Sequence, residues 1–210
     1  MSVVICPGIH DPSLTMEFLA GLKSIFPHNS KLSCSENILI FSARTGEKFI
    51  PQGITPTLLP CLTPTSLSAF HILQFLGDAL GNPPTAAPVV FIGFSAGVVG
   101  IIGAAWGWQL LGGKVKAAIA IDGWGVPLFG NFPCHRLSHD FFTHWSSSLL
   151  GSGEDSFYAD RSVEHLTMWR SPQTVTGWWI QPNQEQSSTQ TRLTAAEFLT
   201  MLLKRYGEIE

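Results

Sequence analysis

The residues best suited to chemistry lie in Pro88-Val-Val-Phe-Ile-Gly93-Phe-Ser95-Ala-Gly97. This stretch sets Gly-x-Ser-x-Gly between an apolar run that reads as a strand and a small-residue run that reads as a helix. A serine on so tight a strand-to-helix turn must take a strained backbone conformation, and flanking glycines let strand and helix backbones approach closely. The turn lifts the hydroxyl clear of the sheet edge, where the helix N-terminus offers oriented N–H groups to a developing oxyanion. A serine hydroxyl is a poor nucleophile at neutral pH and needs an imidazole to take its proton. The imidazole in turn needs a carboxylate that fixes its tautomer and stabilises the cation. A nucleotide turn is the competing reading of the same glycines. Gly93, Gly97 and Gly100 do not have dinucleotide-fingerprint spacing, and no P-loop lysine follows. No cofactor is expected.

With this elbow the chain resembles the α/β-hydrolase superfamily. The resemblance covers most of the chain by element order and implies a three-layer α/β/α sandwich with a mainly parallel sheet. It also implies an oxyanion hole built from the amide of Ala96 and one from the loop after an early strand. Cys6-Pro7-Gly8-Ile9-His10 occupies that place, so Ile9 is the choice, with His10 next. The chain begins at this strand, which is what a minimal member would look like. Family order runs Ser, acid, His. Asp122, which ends the apolar run Ala117–Ile121, is the expected acid, with Asp160 the alternative. Among the histidines that follow, His165 lies after the run 156–159 and ahead of the closing helix, so it is the expected base. His139 and His144 replace it only if their segment folds back over Ser95. His135 and His71 read as packing or surface residues, and Glu154 and Asp155 as solvated. The segments CPGIHDP, DGWG and HLTMWRSP resemble short hydrolase-like proteins of cyanobacteria, a likeness that implies no particular substrate.

After Asp122 come Trp124, Phe129, Phe132, Phe141, Phe142 and Trp145. Residues 123–150 read as an irregular aromatic lid or cap. Trp124, Phe129, Phe141 and Phe142 would line a pocket for an apolar acyl or prenyl group, unless the lid needs its aromatics for a core of its own. Trp169, Trp178 and Trp179 form a second group in what reads as a turn and short helix. Adjacent Trp178 and Trp179 cannot both face one core there, and one is left for a ligand, a partner or a membrane interface.

The elements that must position these residues alternate. Short apolar strands are expected at 3–6, 38–41, 88–94 and 117–121, with a last strand at 156–159. Helices are expected from Asp11-Pro12-Ser13, from Ser66 to Leu80 with Leu67, Phe70, Leu73 and Leu80 on one face, and from Ser95 to Leu111. A closing helix starts at the capping-box pattern Thr194-Ala-Ala-Glu197. Residues 44–63, rich in Gly, Pro and Thr, read as a loop. Continuous apolar strands separated by helices indicate a parallel sheet covered on both faces. With no linker or repeat, the 210 residues read as a single domain.

Composition narrows the function classes. Charged residues make up 13% of the chain and hydrophobic ones 45%, against about 25% charged in an ordinary soluble domain. The formal charge of −3 leaves no basic excess for nucleic acid, and disorder needs the opposite balance. Residues 79–113 carry no charge, but Pro83, Pro84, Pro88 and seven later glycines divide them into strand and helix rather than a membrane span. No signal-peptide pattern is present. Cys6, Cys34, Cys61 and Cys134 are scattered without a C-x-x-C pair, so neither zinc nor disulfides are expected and the location reads as cytoplasmic. Two function classes follow. One is a serine ester or thioester hydrolase for a lipophilic small molecule, with peripheral membrane contact open. The other is a non-catalytic relative that binds an apolar ligand or a protein.

Overall fold

The computed structural model describes residues 2–25, 38–41, 48–49, 67–151, 153–181 and 191–209. Their elements in chain order are β1 (Ser2–Cys6), α1 (Pro12–Lys23), β2 (Ile38–Phe41), β3 (Lys48–Phe49), α2 (Ala69–Leu80), β4 (Val89–Phe94), α3 (Ala96–Leu110), β5 (Val115–Ile121), β6 (Cys134–Ser138), α4 (Phe141–Ser148), β7 (Asp155–Ala159), α5 (His165–Arg170), β8 (Thr176–Ile180), β9 (Thr191–Thr194) and α6 (Ala195–Arg205). The strands form one sheet in the order β3-β2-β1-β4-β5-β6-β7-β8-β9. From β2 through β7 every pairing is parallel, and β3, β8 and β9 join antiparallel.

Alternation along the strands divides the core in two, as a sheet covered on both faces requires. Val4, Cys6, Val89, Phe91, Ala118 and Ala120 pack with Ile72, Phe75, Leu76 and Ile101 of α2 and α3. Val3, Ile5, Val90, Ile92, Ile119 and Ile121 pack with Phe18, Trp169, Phe198 and Leu202 of α1, α5 and α6. The expected three-layer α/β architecture with a mainly parallel sheet is therefore present. Local chemistry sets the helix starts. Asp11 caps α1 by accepting from the Ser13 amide, and Thr194 and Glu197 form the reciprocal capping box of α6.

Several expectations are corrected. The segment 123–150 is not irregular: β6 within it is a buried member of the sheet, between β5 and β7, and α4 packs against β6 and β7. Its alternation was obscured by His135 and Arg136, which are polar yet buried. The strand at 155–159 is not the last, because β8 and β9 follow. Trp178 and Trp179 lie in β8, not a helix, so pleating sends them to opposite faces. Helix α2 buries Ile72, Phe75 and Leu76, while Leu67 and Phe70 are exposed. Leu73 and Leu80 pack against that core from its edge, so half of the expected face is present. Residues 48–49 pair as β3 inside the stretch read as a loop. The remainder of 44–63, Ser66, Cys34 and Cys61 lie outside the described residues. Cys6 and Cys134 are free and buried.

Candidate active site

The sheet gives the site its place. From β1 the chain moves outward to β2, then crosses back to lay β4 on the other side of β1. Connections leaving β1 and β4 thus diverge at their C-terminal ends and open a crevice at the switch point. Ser95 follows β4 at that crevice, with φ 52° and ψ −120°. Few L-residues occupy this region, and holding one there costs about 1–3 kcal/mol. The surroundings enforce it: the Ser95 amide donates to Ile121 O at 2.9 Å, tying the turn to β5. A Cβ on Gly97 would stand 2.1 Å from the Cys6 carbonyl oxygen, and one on Gly8 would stand 2.9 Å from Ser95 Cβ. Glycine at these two positions is what lets α3, β1 and the Pro7–His10 turn close around the serine.

Ala96 opens α3, so its amide has no intrahelical carbonyl to meet and faces the turn. Ile9 follows Gly8 on the neighbouring turn with its side chain exposed. His10 Nδ1 bonds the Asp11 carbonyl at 2.8 Å, and its ring meets Phe94 edge-on. Both candidates for the second oxyanion amide therefore sit on the turn that abuts Ser95.

Asp122 ends β5 in the neighbouring crossover, also at positive φ (52°). It is 4% exposed. One of its oxygens, Oδ2, lies 3.0 Å from His165 Nδ1. His165 is the first residue of α5, and its ring stacks on Phe94, the residue before the serine, with centroids 4.6 Å apart. Phe94 also stacks on Trp169, one turn further along α5. This aromatic platform escaped sequence reasoning, although the i, i+4 spacing of His165 and Trp169 was its visible trace.

His139 also reaches Asp122, as the first residue beyond β6. Its amide donates to Oδ1 at 2.8 Å, and its Nδ1 lies 3.0 Å from both carboxylate oxygens. Burial pushes the Asp122 carboxyl up, but hydrogen bonds from His139 and His165, with the charge and amide of His139, outweigh it and hold the group below the usual carboxylate value. The hydrogen bond to Asp122 raises His139 above the ordinary imidazole value, against a smaller opposing effect of burial.

The other sequence candidates separate from this cluster. Asp160 pairs with Arg192 at 3.7 Å. His135 is fully buried, 2.6 Å from Tyr206 Oη. His144 packs by Tyr158. Burial lowers both histidines to about 4. The proposed acid and base meet; of the alternatives, Asp160 and His144 lie apart, whereas His139 reaches Asp122.

A cavity of about 560 Å³ is lined by Ser95, Ala96, Val99, Asp122, Trp124, Val126, His139, Asp140, Phe142, Thr143 and His165. Of the four aromatics expected to line it, Trp124 and Phe142 do. Phe129 instead packs on Trp106, and Phe141 on Tyr158, both on the exposed surface. No lysine or arginine lines the cavity among the described residues. Ser95 and His165 share this cavity, and among the described residues no hydrogen bond joins the serine Oγ to the imidazole.

Asp122, His139 and His165 also have ligand-capable atoms within 4.8 Å of one another, compact enough for one metal ion. A metal at about 2.0–2.1 Å would need both Nδ1 atoms bare. In the arrangement present, each Nδ1 at 3.0 Å from a carboxylate oxygen has the geometry of a donated N–H. No protein-family model, curated protein or solved structure matches this chain.

Proposed function

We propose that the protein is a serine hydrolase of the α/β-hydrolase type that cleaves a carboxylic ester or thioester of a lipophilic small molecule. The observation that carries this reading is Ser95, strained on a strand-to-helix turn, in one cavity with His165, whose Nδ1 is bonded to the buried carboxylate of Asp122. In the reaction Ser95 Oγ attacks the carbonyl carbon while His165 Nε2 takes the hydroxyl proton. Asp122 keeps the other ring proton on Nδ1 and offsets the imidazolium charge. The oxyanion accepts from the Ala96 amide and from that of Ile9 or His10. Collapse expels the alcohol or thiol, which receives its proton from His165, and water then resolves the acyl-enzyme by the same route. Trp124, Val126, Val99 and Phe142 offer the acyl or alcohol group an apolar wall. With Asp122 and Asp140 as the acidic groups in the lining and no lysine or arginine among the described residues there, an uncharged substrate fits better than a phosphorylated one.

A second reading, a non-catalytic hydrolase-like protein that binds an apolar ligand or a protein, draws support from the missing Ser95–His165 hydrogen bond. Catalytic hydrogen bonds often close only with substrate bound, and the first reading is therefore preferred. A fluorophosphonate probe separates the two. Stoichiometric labelling of wild type, lost in Ser95→Ala and strongly slowed in His165→Gln, is expected. Turnover of p-nitrophenyl esters should rise with acyl chain length. Absence of both labelling and turnover at every chain length rejects catalysis and leaves the binding reading.

A further inference from the structure

Asp122 is held by more than one catalytic histidine requires. His139 grips it twice, through its backbone amide and its ring, while His165 takes Oδ2 alone. The two rings meet edge to face with centroids 6.1 Å apart. The far nitrogen of His139, Nε2, lies 3.6 Å from Asp140 Oδ2, so this ring stands between two carboxylates. Its carbonyl accepts from the Val163 amide at 3.1 Å, two residues before His165. His139 is thus fastened both to the acid and to the loop that delivers the base.

We propose that His139 is a positioning residue that clamps Asp122 and, through the carboxylate they share, fixes the orientation and sets the basicity of His165. This rests on the Ser95–His165–Asp122 reading. A carboxylate with a single partner can rotate about its Cβ–Cγ bond, whereas one held by an amide and a ring cannot. Two carboxylates favour the protonated form of His139. That positive charge opposes a second one on His165, and both rings draw on the same oxygen, Oδ2. The other ionisable groups around the pair are Asp140 at the start of α4, Glu164 immediately before His165, and His10 on the turn after β1, whose ring packs with Phe94 and Trp169. No lysine or arginine among the described cavity-lining residues supplies an alternative cation.

Two variants separate geometry from charge. His139→Asn keeps an N–H where Nδ1 stood but carries no charge, and His139→Ala removes both. In a Ser95→Ala background, NMR titration of the His165 ring, assigned against His165→Gln, reads basicity without needing turnover. The His165 midpoint is expected to rise by about 0.5 pH unit or more in both variants. With Ser95 restored, the acid limb of kcat/KM moves the same way. Turnover should fall about tenfold or more in His139→Ala and recover to within a few-fold in His139→Asn, with KM little changed. A His165 midpoint that stays put in both variants, or an asparagine that rescues nothing, overturns the proposal. The two readings fail separately. A shifted titration in a protein that never labels at Ser95 refutes the hydrolase and leaves the coupling, and an unmoved titration in a protein that labels refutes the coupling alone.

Discussion

Ser95 occupies φ 52° and ψ −120°, and any residue with a Cβ pays the same steric cost there. The hydroxyl and the strain can therefore be separated by mutation. Ser95→Ala removes the nucleophile and keeps the Cβ, whereas Ser95→Gly removes both. Glycine loses part of its advantage to greater freedom in the unfolded chain, about 0.5–1 kcal/mol, set against about 1–3 kcal/mol of released strain. Both variants should be unlabelled by fluorophosphonate, with Ser95→Gly the more stable by about 1 kcal/mol in urea unfolding. A glycine variant less stable than the alanine one by about 0.5–1 kcal/mol would mean that the turn is not strained. This residue was legible in the sequence because an elbow is local, with all its requirements written within five positions. Asp122 and His165 were legible for a related reason, since each ends or follows a segment whose type could be read. His139 was visible only as a conditional candidate, because its role depends on which strand lies beside β5, and that is a property of the assembled sheet.

The strand that brings His139 there is also among the elements that the sequence does not announce. Cys134-His-Arg-Leu-Ser138 has neither the continuous apolar run of a doubly covered strand nor a solvent face. It becomes a central strand because its polar side chains find buried partners. Arg136, 1% exposed, donates to the carbonyls of Gly123, Val126 and Gly151 at 3.1–3.3 Å. Burial lowers the guanidinium to about 10, so it remains a cation at neutral pH. One side chain thereby fastens the chain leaving Asp122 to the chain leaving α4, and holds Trp124 at the cavity wall. Arg136→Met fills similar volume but strands three carbonyls, and we expect it to lose about 2–4 kcal/mol of stability. Arg136→Lys keeps the charge without the planar fork and should fall between. Urea unfolding followed by tryptophan fluorescence measures both. A methionine variant as stable as wild type would show that water satisfies those carbonyls and that the loop needs no such anchor. The contrast with β1, β4 and β5 explains what was readable: hydrophobic burial shows in composition, whereas burial by hydrogen bonding shows only once the partners are in place.

Across the whole molecule, the low charge content that first raised the question of a membrane has a structural origin. Residues 79–113 are largely β4 and α3, enclosed by β1, β5 and α2, and no helix among the described residues is long and apolar enough to cross a bilayer. With so few charges, a handful of buried histidines should govern how stability responds to acid. His135 and His144 are neutral in the fold, with values near 4, against about 6.5 for an unfolded imidazole. Their contribution is complete above that unfolded value and declines as pH falls below it, because the unfolded chain then takes up protons that the fold refuses. Each costs about 2 kcal/mol by pH 5 and about 3 kcal/mol by pH 4. The two shifted groups of the site itself, His139 and Asp122, do not produce this decline. The raised value of His139 makes its contribution full below the unfolded imidazole value and lost as pH rises through the folded one. The lowered value of Asp122 keeps its contribution intact above the ordinary carboxylate range. His144 offers the cleaner test, since its Nδ1 is buried without a hydrogen-bond partner and an apolar ring would strand nothing there. His144→Phe should unfold within about 1 kcal/mol of wild type at pH 7.5. Between pH 6.5 and 4.5 it should lose roughly half of the wild-type decline in stability, leaving the part due to His135. A phenylalanine variant that declines as steeply as wild type would move the acid sensitivity elsewhere, to His135 or another imidazole that takes up its proton within that window.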